Sequence, residues 1–135
     1  MNKMKYILIA ALMAVFLFTS TAHANWYIAT AYDLSVECCG KPKSDPNYGL
    51  TASGFNLKGH TWHSARTVSA DLSVHKLGTQ LYIKFPEPYA HMDGVYTVRD
   101  TGGGVVRHHL DIFFGEDAYE EAIKFGRQRI EVNKI

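Results

Sequence analysis

The chain has 135 residues, of which 47% are hydrophobic and 20% are charged, and its formal net charge is +1. This length suits one compact domain with a modest core and leaves no room for two. The near balance of acidic and basic residues gives no support for nucleic-acid binding. The only cysteines, Cys38 and Cys39, are adjacent, which excludes a framework of spaced disulfides. We interpret them as reduced thiols; a strained vicinal disulfide, an intermolecular bridge and a metal thiolate pair are the alternatives.

The first 24 residues have the features of a secretory signal peptide. Lys3 and Lys5 precede an apolar stretch at residues 6–18, and residues 22–24 (AHA) form a small-residue cleavage site. A membrane anchor is the alternative, but the apolar run is short for a span. No lipobox-type cysteine lies near the signal exit. We therefore expect a mature domain of residues 25–135 that is periplasmic or secreted, not stably inserted in a membrane, and monomeric.

The mature sequence predicts six short strands, one long loop and one helix. Residues 25–32 are rich in β-branched and aromatic residues and predict an opening strand, and the Gly- and Pro-rich residues 33–59 predict a long loop. The helix is predicted at 116–125, where apolar residues recur at helical spacing, acids occupy the first turn and Gly126 follows as a stop. The other strands, each bounded by turn residues, are predicted at 66–70, 79–85, 94–99, 109–114 and 128–133. Strands this short favour a small closed barrel, which leaves no sheet edge exposed.

Two aspartates on consecutive predicted strands are the strongest candidates for chemistry. Asp100 ends one strand, Asp111 lies inside the next, and the glycines at 102–104 allow a tight turn that would let the two carboxylates meet. A carboxylate in the apolar context HLDIFF costs free energy unless it is hydrogen-bonded or functional. Clustered acids repel, so one of them would retain its proton and serve as a general acid. The alternative is purely structural, with Asp100 starting an Asx turn and Asp111 bonding to backbone or to His109.

The ordered set of motifs resembles the 3D-domain family, which is named for three aspartates and is related to the catalytic core of MltA-type lytic transglycosylases. The resemblance runs through most of the mature chain. Its segments are 30–32 (TAY), 38–41 (CCGK), 51–54 (TASG), 70–74 with Asp71 leading into 77–79, 100–103 (DTGG), 110–114 (LDIFF) and 122–127. The departures are Leu72, His75 and Lys76, where proline or apolar residues are common in the family, and a cysteine motif reduced to two residues.

The resemblance implies a six-stranded double-psi β-barrel with a glycan groove, acting on the bond between N-acetylmuramic acid and N-acetylglucosamine. It implies that Asp111 is the acid/base, that Asp100 supports it and that Asp71 completes the cluster. A lytic reaction needs only one acid/base, because the sugar's own 6-hydroxyl attacks and forms a 1,6-anhydro ring. A two-carboxylate glycoside hydrolase and a non-catalytic peptidoglycan-binding barrel are the alternatives.

Peptidoglycan glycan strands are the expected partner, and several residues are candidates for contacting them. Aromatic faces suit sugar rings, and hydroxyls suit sugar oxygens. The candidates are Tyr32, Trp62, Tyr89, Thr51, Ser53, Thr101 and Gly102, although Tyr32 could be core and Thr51 and Ser53 ordinary loop residues. No cofactor or metal is expected, since His60 with His63 and His108 with His109 lack a complete zinc-site spacing such as HExxH.

Overall fold

The computed structural model describes residues 23–135. The predicted signal peptide therefore lies outside the described residues, except for its last two positions. Within residues 23–135, no helix is long and apolar enough to cross a membrane.

Six strands close into a barrel in the order β1-β5-β2-β4-β3-β6. The pairs β1/β5 and β2/β4 are parallel, and the other four neighbouring pairs are antiparallel. The strand bounds are β1 Trp26–Asp33, β2 Thr67–Ala70, β3 Gln80–Lys84, β4 Gly94–Asp100, β5 His109–Gly115 and β6 Gln128–Lys134. The predicted fold class, a mainly β barrel of six strands, is confirmed, and each strand lies within one or two residues of its expected bounds.

Among residues 23–135, three short α-helices lie around the barrel, where the sequence predicted one. They are α1 Val36–Cys39, α2 Trp62–Ala65 and α3 Tyr119–Phe125, with a 3-10 turn at Ala90–Met92. The predicted start of the helix at residue 116 is wrong: α3 begins at Tyr119, because the backbone amide and carbonyl of Glu116 pair with His60 and Leu34. The Glu116 carboxylate also accepts hydrogen bonds from the Gly59 amide and the Tyr48 hydroxyl. Glu116 therefore ties the long loop to the barrel.

The main core lies inside the barrel, because alternate residues of each strand point inward. Its strand residues are Tyr27, Ala29, Val68, Ala70, Leu81, Ile83, Tyr96, Val98, Leu110, Ile112, Phe114, Ile130 and Val132. A second cluster lies on the outer face of β1 and β5, where Tyr32 and Phe113 point away from the interior. The loop at 34–57 covers this face, and the cluster consists of Tyr32, Leu34, Tyr48, Leu57, Ala65 and Phe113.

We expect Gly49→Ala to destabilise the protein more than Gly54→Ala. Both glycines have positive φ, 77° and 85°, so both substitutions incur the left-handed cost of about 1–2 kcal/mol. A Cβ at Gly49 would also lie 2.8 Å from Asn56 Oδ1 and 3.0 Å from the Lys58 nitrogen, whereas a Cβ at Gly54 meets nothing within 4 Å. Urea unfolding of the two variants measures the difference. Equal losses of unfolding free energy in the two variants would show that the close contacts of Gly49 with Asn56 and Lys58 do not affect stability.

Candidate active site

Four neighbouring strands bring one polar residue each into a single row on the outer face of the barrel. Asp111 on β5 pairs with Thr30 on β1 and with Ser69 on β2, and Ser69 pairs with Asp100 on β4. A β-bulge beside Ser69 shifts the β4 register by one residue and brings Asp100 into the row. Because β2 separates β4 from β5, the two aspartates face each other across Ser69, at a backbone separation of roughly 10 Å, and do not meet directly across the glycine turn.

Asp111 is the half-buried carboxyl of this row. Its Oδ1 accepts a hydrogen bond from Thr30 Oγ1 at 2.9 Å. Burial raises the pKa of Asp111; the Thr30 hydrogen bond and the charge of His109 oppose this rise, and the like charge of Asp100 adds to it. Within residues 23–135, no hydrogen bond engages Oδ2. Asp111 can therefore hold a proton at a pH where a free aspartate is ionised.

Asp100 is held by backbone amides and faces a small cavity. The amides of Thr101 and Ala52 donate to Asp100 Oδ1 at 2.9 and 3.1 Å. The Ser53 amide donates to the Arg99 carbonyl at 3.0 Å, so the TASG segment docks directly on the end of β4. The cavity has a volume of about 200 Å³ and is lined by Asp100, Tyr32, Leu34, Cys39, Lys41, Asn47, Tyr48, Gly49, Leu50 and Leu57.

Tyr32 lines this cavity and also belongs to the buried cluster on the outer face of β1 and β5. Its ring packs against Phe113 with the centroids 5.5 Å apart. Its hydroxyl is buried beside Ser69 without a well-formed hydrogen bond among the described residues. Burial raises the pKa of Tyr32 far above its ordinary value. The phenol therefore stays protonated and can only be a neutral neighbour of the two aspartates.

Asp71 lies outside the row and binds backbone. Its Oδ1 accepts from the Ser73 amide and hydroxyl at 2.9 and 2.7 Å, and its Oδ2 accepts from the Arg107 amide at 2.8 Å. These contacts lower its pKa, with the Arg107 amide contributing most. Among residues 23–135, no hydrogen bond links Asp71 to Asp100 or Asp111. Its carboxylate stays ionised and anchors the loop between β4 and β5.

We expect Asp71→Asn to lower the melting temperature by a few degrees at neutral pH and by much less in acid. The folded state lowers the pKa of Asp71, so its carboxylate stabilises the fold above the unfolded pKa of about 3.9, and this contribution is lost as pH falls through the lowered folded value. Thermal melts across pH measure the effect. Asp45→Asn is the control, because Asp45 Oδ1 bonds only within its own turn, to the Asn47 amide at 2.7 Å. A melting difference that persists at acid pH would contradict this role.

The other predicted groove residues are divided between two places. Thr51 is buried, and its hydroxyl donates to the Phe55 carbonyl at 3.0 Å. Ser53 Oγ lies 3.0 Å from Thr51 Oγ1. Thr101 and Gly102 follow Asp100 and are exposed. Trp62 and Tyr89 instead line a separate cavity of about 530 Å³ near the carboxyl end of β5, whose lining includes none of the three aspartates. The structure therefore does not bring these two aromatic residues to the aspartate row.

The side chains of His60, His63 and Cys39 each contact other parts of the fold. Within residues 23–135, no group of three or more His, Cys, Asp or Glu residues is arranged to hold a metal ion. His60 Nδ1 lies 3.0 Å from Ser64 Oγ, and the ring of His63 packs edge-on against Trp62. Both cysteines are free thiols, and burial raises the pKa of Cys39 to about 11. Cys39 is therefore a protonated thiol in the wall of the Asp100 cavity.

From the sequence, Ser69 was not identified, Thr30 was named only within the TAY motif, and His109 was named only as a structural partner of Asp111. The alternating spacing of His109 and Asp111 places both side chains on the same face of a strand, which the sequence does show. The contribution of Thr30 and Ser69 depends on β1 and β2 flanking β5, and nothing local in the sequence specifies that order.

The six strands form a small closed barrel that carries a row of acidic and hydroxyl side chains on its outer face. The model of the 3D domain matches residues 66–135. The chain therefore belongs to the 3D domain family. A comparison with curated proteins finds no significant match.

Solved structures show a similar fold. The lytic transglycosylase LtgG of Burkholderia pseudomallei is 20% identical with a TM-score of 0.50, and the match covers 70% of this chain and 28% of LtgG. MltA from E. coli is 23% identical with a TM-score of 0.48, covering 70% of this chain and 30% of MltA. MltA with bound chitohexaose is 20% identical with a TM-score of 0.48, covering 62% of this chain and 27% of that protein. This chain therefore spans less than a third of each of these proteins.

Proposed function

We propose that this protein is an exported peptidoglycan lytic transglycosylase that cleaves the bond between N-acetylmuramic acid and N-acetylglucosamine. The observation that carries the proposal is the half-buried Asp111, whose burial raises its pKa and whose Oδ2 is left for a substrate. Membership of the 3D domain family and the fold shared with LtgG, which is named a lytic transglycosylase, support the same reaction. The substrate is the glycan strand, and the protein acts as a periplasmic or secreted monomer without metal or cofactor.

In the proposed reaction one carboxyl serves as acid and then as base. Protonated Asp111 donates from Oδ2 to the glycosidic oxygen, and the bond from that oxygen to the anomeric carbon breaks. The 6-hydroxyl of the same muramic acid attacks the anomeric carbon and closes the 1,6-anhydro ring, and its proton returns to Asp111. No water is consumed, so a single positioned acid/base is sufficient.

The neighbours of Asp111 supply positioning and charge. Thr30 holds Oδ1 through its hydroxyl, and within residues 23–135 Oδ2 makes no hydrogen bond. The carboxylate of Asp100 raises the pKa of Asp111 and contributes negative charge near the positive oxocarbenium-like transition state. The 200 Å³ cavity beside Asp100 is open to a substituent of the sugar. In this scheme Asp71 acts indirectly, because it holds the loop that follows Asp100.

Digestion of purified sacculi tests the proposal. The purified protein should release soluble muropeptides whose muramic acid ends are one water lighter than hydrolytic products, as read by mass spectrometry. Reducing-ended products would identify a two-carboxylate hydrolase, for which the separation of Asp100 and Asp111 across β2 leaves room for a water. Sacculus binding without any product would identify a non-catalytic peptidoglycan-binding barrel.

A further inference from the structure

The Thr30 hydroxyl lies between two titratable side chains of β5. Its Oγ1 is 2.8 Å from His109 Nε2 and 2.9 Å from Asp111 Oδ1. The parallel register explains the contact, because Thr30 pairs with Asp111 while Ile28 pairs with His109, which places all three side chains on the outer face. A hydroxyl carries one proton, so Thr30 can donate to only one of these partners at a time and must accept from the other.

The second ring nitrogen of His109 restricts the possible states. His109 Nδ1 lies 3.1 Å from the Gly104 carbonyl, which can only accept, so Nδ1 carries a proton. When Thr30 donates to the Asp111 carboxylate, Nε2 must also carry a proton and His109 is a cation. When His109 is neutral, Thr30 donates to Nε2 and Asp111 must carry the proton that completes the hydrogen bond to Oγ1. The two arrangements differ only in the position of one proton.

We propose that His109, Thr30 and Asp111 form one proton-sharing chain, in which His109 is a positioning residue that sets the protonation of Asp111. This inference rests on the proposed role of Asp111 as the acid/base. In the acid form Asp111 carries its transferable proton on Oδ2, while Thr30 donates to Oδ1 and His109 is a cation. When Asp111 loses the Oδ2 proton to the glycosidic oxygen, the His109 cation stabilises the resulting carboxylate through the Thr30 hydroxyl. When the 6-hydroxyl returns its proton to Oδ2, the original state is restored.

The contact with Thr30 and His109 lowers the proton affinity that Asp111 would otherwise have. Burial and the charge of Asp100 both favour the protonated carboxyl, so on their own they would make the proton hard to release. The Thr30 hydrogen bond and the charge of His109 act in the opposite direction. His109 therefore keeps the buried acid able to give up its proton.

Other titratable groups lie around His109, Thr30 and Asp111, and none of them is substituted in the variants described below. The charge of Asp100 on β4 raises the pKa of Asp111, and the charge of Asp111 in turn contributes to the raised pKa of Tyr32 on β1. Asp71 follows Ala70, whose partner is Leu110, so it lies next to His109 across β2 and β5. On the other side, Ile28 separates His109 from Arg129 on β6.

The decisive variant is His109→Gln, whose amide can donate to Thr30 but cannot become a cation. His108→Gln is the matched control, because the adjacent His108 packs edge-on against Tyr27, with centroids 4.8 Å apart, and is not part of the chain. The carboxyl carbon of Asp111 is titrated by NMR in the purified protein and in both variants. We expect the Asp111 titration to move to higher pH in His109→Gln and to remain unchanged in His108→Gln. An unchanged Asp111 titration in His109→Gln would overturn the inference.

Sacculus digestion adds a readout that a merely structural role would not change. In His109→Gln the alkaline limb of the pH–rate profile should move to higher pH, with a loss of plateau kcat of no more than about 10²-fold, the low end of what a positioned acid contributes. A uniform loss with an unshifted limb would overturn the inference. If the NMR titration moves but the unmodified protein releases no product, the proton-sharing chain stands and the proposed function fails. If the unmodified protein releases products and the Asp111 titration does not move in His109→Gln, the proposed function stands and the proton-sharing chain is contradicted.

Discussion

Asp111→Asn is expected to abolish the release of muropeptides while leaving the protein folded and bound to sacculi. A single positioned general acid contributes about 10²–10⁴-fold, so the rate should fall by at least that range when no other group replaces the proton. The amide oxygen of asparagine can still accept the Thr30 hydrogen bond that Asp111 Oδ1 accepts at 2.9 Å. The substitution therefore removes the transferable proton without removing the contact that holds residue 111 in place.

The control for this prediction is Asp117→Asn. Asp117 is an exposed carboxylate that pairs with Lys43 at 3.1 Å, away from the row of site residues. It should leave both digestion and melting temperature nearly unchanged, since exposed ion pairs contribute little. Digestion by Asp111→Asn at more than about a hundredth of the unmodified rate would contradict the assignment of Asp111 as the acid, given the factor that such a group supplies.

Phe113→Ala is expected to cause the largest loss of stability among these variants, about 3–5 kcal/mol, because truncating a buried phenylalanine leaves a cavity. Phe113 is fully buried on the outer face of β5 and packs against Tyr32 in the cluster that holds the 34–57 loop. That loop supplies most of the wall of the Asp100 cavity. The variant should therefore lose sacculus digestion, and the amides of the 34–57 loop should lose their protection from hydrogen exchange.

Amide hydrogen exchange distinguishes this effect from general destabilisation. In Phe113→Ala, exchange should increase first in residues 34–57. Phe125→Ala is the matched control, because Phe125 is equally buried but packs with Phe85, Tyr89 and Phe114 in the barrel core. It should increase exchange around α3 before the loop. The same exchange pattern in both variants would show that the loop has no separate anchor at Phe113.

The strands could be predicted from sequence because each combines β-forming residues with turn residues at both ends. Gly94–Asp100, for example, follows a proline-rich turn and precedes the glycines at 102–104. The one-turn helices α1 and α2 were not predicted, because four residues are too few for a periodic pattern. Their capping residues, Ser35 and Thr61, were the available signal.

The aspartate row could be predicted only in part. Asp111 was identified because a carboxylate inside an apolar strand is costly, and the structure does show it half-buried. Its relation to Asp100 was misjudged, because strand order in a barrel with parallel pairs does not follow chain order and β2 separates the two. The contact of Asp71 with the Arg107 amide was equally out of reach, since it joins residues 36 positions apart.

The two aromatic residues expected in the groove illustrate a different limit. An aromatic side chain next to polar residues has the same pattern in sequence whether it binds a sugar or covers another cavity. Trp62 lies on α2, where its ring contacts His63, His91 and Arg66. Only the fold shows that this surface is separate from the aspartate row.

The most direct test of the account is digestion of sacculi in water enriched in heavy oxygen. In the lytic reaction the 6-hydroxyl of the sugar attacks the anomeric carbon, so no solvent oxygen enters the product. We predict that the soluble muropeptides will carry anhydro ends without heavy oxygen and that Asp111→Asn will yield none of them. One heavy oxygen at each newly formed reducing end would contradict the account, because it would show that water is the nucleophile.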